Sequence, residues 1–233
     1  MNRQILLVAL AATGAVAIAS CSGPADKRAA SAERPSAAAA PFAAAQDPLL
    51  AAAEPFEALT EQAFDASPAA LEAILTEART KVAPARLRLS PAAAGKLDEI
   101  TTRLPDLIHR QDRARTALSS MEAYRILVMA QDPATAKAPV PVSLLDYAGF
   151  KYSAQLKSRP AAWGAMSASV REARAEWSKI SGSVRSNGLK GAFEEALGGM
   201  EDGARLKNPA LAQYAAATEL ALVDLLEEHL ARR

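Results

Sequence analysis

Apolar positions recur at helical spacing through nearly all of the chain beyond Leu49. Trp163, Met166, Val170, Ala173, Trp177 and Ile180 follow a 3-4-3-4-3 spacing that puts all six on one seam of a helix packed nearly parallel to its neighbours. A second seam runs through Leu97, Ile100, Leu104, Leu107, Ala114, Leu118, Met121 and Val128, interrupted by Gln111 and Arg125. The pattern predicts helices over 50–65, 68–83, 91–131, 142–157, 160–181, 188–206 and 209–231. Ser67-Pro68, Ser90-Pro91 and Asn208-Pro209 each set a capping side chain before a proline at the first helical position, where the missing N–H is harmless. Pro105 has no such cap and is expected to kink the long 91–131 helix. The segment from Asp132 to Pro141, with three prolines, divides the helices into halves of about 49–131 and 142–233.

The halves resemble each other in sequence. Pro68-Ala69-Ala70-Leu71 returns as Pro160-Ala161-Ala162-Trp163, with Ile74 on Met166 and Arg79 on Arg171. One residue further out of step, Ile100 falls on Phe193, Leu104 on Leu197, Leu118 on Leu211 and Leu127 on Leu220. Two kinked helical hairpins facing each other would give the expected fold: all-α, an antiparallel bundle of proline-interrupted helices.

Composition narrows the classes of function. The chain has 233 residues, of which 50% are hydrophobic, but 57 are alanine, which favours helix while adding little buried area. Lys and Arg number 27 against 26 Asp and Glu, so the near-neutral chain carries no electrostatic footprint for nucleic acid. Aromatics at 5% and few glycines argue against a β-sandwich or barrel.

The first 21 residues read as a secretory signal. A short n-region with Arg3 precedes an apolar run from Ile5 to Ala19, too short for a comfortable membrane span. It ends in Ile18-Ala19-Ser20-Cys21, and Cys21 is the only cysteine of the chain. This segment resembles the lipobox of bacterial lipoproteins. The resemblance implies cleavage before Cys21, lipidation of its thiol and acylation of the freed amine. Ser22 in place of aspartate implies the outer membrane of a Gram-negative bacterium, facing the periplasm. Residues 1–20 would then be the signal peptide, and 21–48 a lipidated, Ala/Pro/Ser-rich tether too poor in core formers to fold. Residues 49–233 would be the helical domain.

Within the domain the chemistry is sparse. His109 and His229 are the only histidines, which leaves little material for a nucleophilic triad, and no catalytic residue is assigned. Asp106, His109 and Asp112 lie at i, i+3 and i+6, a spacing that offers three ligands along one helix side. A solvated, basic face is the plainer reading, and no metal or other cofactor is assigned. Neighbouring acids such as Glu194-Glu195 and Glu227-Glu228 point about a hundred degrees apart and do not converge on one substrate. The glycines between Gly188 and Gly203 match no phosphate loop; each costs about 1 kcal/mol in a helix, which calls for close packing or a mobile segment beside a ligand.

Seven of the eleven aromatics fall in the second half. Tyr147, Phe150, Trp163, Trp177 and Tyr214 are the candidate lining of an apolar ligand pocket between helices, with core packing as the alternative. Tyr152, on another face, and Arg113 are the candidate partner surface. Three functional expectations follow. The first is a lipid-anchored, non-enzymatic scaffold, adaptor or accessory subunit that contacts an envelope protein. The second is a tethered carrier of an apolar or aromatic small molecule, and the third a metal-handling bundle. An exposed apolar seam would serve equally as one bundle's core or as an interface between two copies, so homo-oligomerisation stays open.

Overall fold

The computed structural model describes residues 47–231 apart from 135 and 137. The expected signal peptide, Cys21 and nearly all of the tether lie outside the described residues. The described chain is an all-α bundle with helices α1 (Pro48–Gln62), α2 (Pro68–Ala85), α3 (Pro91–His109), α4 (Arg113–Met129), α5 (Val140–Lys157), α6 (Trp163–Ile180), α7 (Asn187–Arg205) and α8 (Pro209–Ala231). None of them is long and apolar enough to cross a membrane. Single 3-10 turns follow α2 and α6, at Arg86–Arg88 and Ser181–Ser183.

The capping signals act as their chemistry requires. Ser67 and Ser90 accept from the backbone N–H of Ala70 and Ala93, and Asn208 accepts from Ala210 and Leu211. Asp47 caps α1 by accepting from Leu49 and pairs with Arg88 at 2.9 Å. Asp47 and Pro48, within the stretch assigned to the tether, therefore belong to the helical unit.

The expected single helix over 91–131 is two helices. Pro105 lies within α3, where the Thr101 carbonyl, deprived of an N–H four residues on, accepts from the Arg79 guanidinium at 2.8 Å. The chain breaks instead at 110–112: Gln111 is left-handed, with φ 55°, and Asp112 caps α4 through Arg115 N–H. The second half repeats this turn, with Lys207 at φ 51° and Asn208 as the cap.

The two halves match in helix length and in the register of their buried positions, though not in the alignment expected. α2 and α6 are both 18 residues, and α3 and α7 both 19. The buried Leu71, Leu75, Ala78, Val82 and Ala85 of α2 correspond, 95 residues on, to Met166, Val170, Ala173, Trp177 and Ile180. At a spacing of 96, Leu97, Ile100, Leu104, Leu107 and Ile108 fall on Phe193, Ala196, Met200, Gly203 and Ala204. Both offsets are three residues longer than the sequence matches indicated, because Pro160 lies in the connection before α6 whereas Pro68 begins α2.

Each half is also more than a hairpin. In the first, α1 packs on α2 and α4, and α3 packs on the same two; in the second, α5 packs on α6 and α8, and α7 joins those. Two four-helix units thus stand side by side, joined where α5 meets α4 and α1, over one continuous apolar core. The glycines of α7 answer to packing. A β-carbon on Gly203 would stand 2.7 Å from the Ala212 backbone, and one on Gly199 3.0 Å from the Ala215 side chain, so α7 and α8 approach closely. Leu107 and Arg103 occupy the matching positions of α3.

Candidate functional site: an acidic cleft between the two units

The residues singled out from the sequence are dispersed. Trp177 is buried and stacks on Phe193 with ring centroids 4.4 Å apart, while Trp163 and Phe150 are half-buried against the same core. Tyr147 hydrogen-bonds the Glu122 carboxylate under the cations of Arg125 and Lys151, and Tyr214 is 73% exposed. Of the five, Tyr147 lines a groove with Glu122, Arg125, Lys151 and Glu172. Tyr152 is not at the surface as expected: it is fully buried, and its hydroxyl donates to the Met200 carbonyl at 2.7 Å, tying α5 to α7. The same burial pushes its phenol up to about 12. Arg113 is half-buried and donates to the carbonyls of Ala63 and Ala66, closing the end of α1. Asp106 and His109 are exposed on α3 while Asp112 caps α4, and no cluster able to hold a metal ion is found among the described residues.

The structure instead gathers a group the sequence keeps apart. A cleft of about 540 Å³ opens between α1 and α4 of the first unit and α5 and α8 of the second. Helical spacing sets each wall. Leu50, Glu54 and Glu57 share a face of α1, Ser143 and Asp146 a face of α5, and Val223, Asp224, Glu227 and Glu228 the last turns of α8. Tyr124 of α4, Gln131 and Ala138 complete it. Six of the twelve lining residues are carboxylic acids, and none is Lys, Arg or His. In a chain with balanced charge, such concentration of one sign in a concave wall focuses negative potential.

The electrostatics follow from that crowding. Burial, then the charges of Glu61, Glu227, Asp224 and Glu54, push the Glu57 carboxyl from 4.5 up to about 7. Asp146 is 8% exposed and is held well above the usual carboxylate range, first by burial and then by Glu57, Glu227, Asp224 and Glu61. The buried Tyr124 phenol is likewise raised, by burial and then Asp146 and Glu57, against a hydrogen bond with Ser143. Lys81 of α2 approaches the rim, 3.7 Å from Glu54. Gln131, 7% exposed, lines the cleft with an amide nitrogen that has no hydrogen-bond partner.

Behind the cleft, Glu219 of α8 is wholly buried one turn before Val223, and neither carboxyl oxygen has a partner. Burial, with Asp146 adding to it, holds this acid neutral well above the usual range. The arrangement is suited to receiving positive charge: a cation would let crowded acids ionise that otherwise hold their protons.

The signals for this site were present singly. Glu219 falls on the helical seam of Ala212, Ala216 and Val223, and Asp146 follows Leu145 within an apolar run, so each sets an acid where a core residue is expected. Comparison with known proteins adds no relative: no family model, curated protein or solved structure matches the chain.

Proposed function

We propose that this protein is a lipid-anchored lipoprotein of the outer membrane, facing the periplasm, and a non-enzymatic binding module acting as a scaffold, adaptor or accessory subunit of the envelope. It works by receiving positively charged groups in the acidic cleft. The anchor rests on Ile18-Ala19-Ser20-Cys21, and the tether gives the helical unit reach from the surface. The observation that carries the binding reading is the convergence of six carboxylic acids, and no basic residue, on a cleft between two helical units. Like charges brought together weaken the fold, so their grouping points to an occupant of opposite sign.

The test is thermal unfolding of residues 22–233 with arginine amide, at an ionic strength held constant with sodium chloride. The expected result is a rise in Tm that Glu57→Gln largely abolishes. Equal rises in both proteins would contradict the reading. Labelling with palmitate in cells, lost in Cys21→Ser, tests the anchor.

A further inference from the structure

The two units differ in how α3 meets α4 and α7 meets α8. Where Gly199 and Gly203 bring α7 close against α8, α3 carries Arg103 and Leu107, and a groove of about 640 Å³ opens between α3 and α4. Its floor is apolar, made by Ile100, Leu107, Leu118 and Ile126. A second hollow, sharing Lys96, Arg125 and Ile126 with the first, continues it to Met129, which is 58% exposed. Four cations, Lys96, Arg103, Arg115 and Arg125, line the groove against two acids, and these acids, Glu99 and Glu122, pair with Arg103 and Arg125. A groove between two helices, apolar below and positive at the rim, suits a third helix with an apolar stripe and acidic flanks.

The chain itself carries such a stripe. On α8, Tyr214, Ala217, Ala221 and Leu225 are exposed at 3-4-4 spacing, with Asp224 and Glu228 exposed beside them and no Lys or Arg among them. From Tyr214 to Glu228 the stripe runs about 21 Å, and so does α4 from Arg115 to Met129, at about 1.5 Å per residue. The two faces are equivalents in the repeat. At the spacing of 96 that sets Asp112 on Asn208, Leu118 falls on Tyr214 and Met129 on Leu225.

We propose that one copy of the protein seats the outer face of α8 in the α3–α4 groove of another, Tyr214 and Leu225 against the floor and Asp224 and Glu228 against the cations of the rim. Joining unlike faces makes the contact heterologous. Apolar burial supplies the attraction and the charges fix its direction, since groove on groove or stripe on stripe would oppose like charges. This goes beyond the reading of the acidic cleft, which neither Lys96 nor Leu225 lines.

Sedimentation equilibrium of residues 22–233 tests it, with Lys96→Glu in the groove and Leu225→Lys on the stripe. Both positions are exposed, so the fold tolerates them. The parent is expected to gain mass with concentration and each variant to associate about tenfold or more weakly; added salt should weaken the parent too. Mixed in equal amounts, the two variants should form a complex with one copy of each, because Leu225→Lys keeps its groove and Lys96→Glu its stripe. A parent monomeric throughout, association that neither substitution weakens, or a mixture that gains no mass over its parts would each overturn the proposal. A chain that stays monomeric yet binds phosphatidylglycerol vesicles or a glutamate-rich helical peptide through Lys96 would give the groove to that occupant and overturn the pairing of copies.

Discussion

Glu219 of α8 lies directly against Gly149 of α5: a β-carbon placed on Gly149 would collide with the Glu219 carboxyl and stand 2.8 Å from the Leu220 side chain. The two units of four helices are so arranged that an acid is buried where α5 and α8 cross, one turn from the acidic cleft. Gly149→Ala should therefore destabilise the fold by about 1–3 kcal/mol, read by denaturant unfolding. Glu219→Ala in the same chain should restore part of that loss, because it removes one of the two obstructing side chains. Strict additivity of the two substitutions would show that they do not meet.

Stability should fall as the pH rises from about 4.5 to about 7. Glu57 has a folded value of about 7 against 4.5 ordinarily, so the folded state holds the proton more tightly than the unfolded chain. Below about pH 4.5 both states are protonated and nothing is lost; between there and about pH 7 stability declines, and above it the loss is complete. The groups facing Glu57 are Glu54 and Glu61 on its own helix, Asp146 on α5, Tyr124 on α4, and Asp224 and Glu227 on α8. Glu57→Gln should flatten the decline and raise stability at about pH 8 by roughly 1–3 kcal/mol, while changing little near pH 4.

Glu219→Gln should behave in the same sense for a separate reason. Its carboxyl is wholly buried without a partner, so ionisation is opposed mainly by lost hydration. The amide cannot ionise, and the variant should gain stability over the parent as pH rises and show no gain near pH 4. A variant less stable at every pH would mean that the acid has a structural partner.

Tyr152→Phe should cost about 1–2 kcal/mol, because it removes the buried hydrogen bond from the Tyr152 hydroxyl to the Met200 carbonyl. The predicted loss appears in unfolding of the isolated chain, with no partner present. A surface tyrosine would show none.

Gly203→Ala should destabilise by about 2 kcal/mol or more, since the added carbon meets Ala212 backbone atoms at 2.7 and 2.8 Å. At the equivalent position of the first unit the effect should reverse in kind: Leu107→Ala removes a buried side chain and leaves a cavity. Comparing the two melts separates a repeat that is close-packed in one unit from one spaced by larger side chains in the other.

What the sequence made legible follows from the range of the interactions. The caps at Ser67, Ser90 and Asn208 and the seam from Met166 to Ile180 depend on residues within a few positions, and all are found as expected. The break at Gln111 is not, because Pro105 carries the stronger local break signal while the chain turns before Asp112, the counterpart of the cap at Asn208. Helical spacing alone places Tyr152 on a peripheral face, yet α5 lies between α4, α6 and α8 and buries nearly all round. The cleft depends on tertiary structure entirely. Glu57, Asp146 and Asp224 are separated by some 80 to 170 positions, and adjacent acids such as Glu227-Glu228 gain meaning only when α1 and α5 stand opposite them.

The most direct test is to follow the side-chain carboxyl carbon of Glu57 by NMR across a pH titration, first alone and then with saturating arginine amide at constant ionic strength. Without a bound cation Glu57 should titrate near 7, and bound arginine amide should lower that midpoint by about one unit or more. A midpoint near 4.5 in the free protein, or one that stays near 7 when arginine amide is added, would contradict an acidic cleft built to receive positive charge.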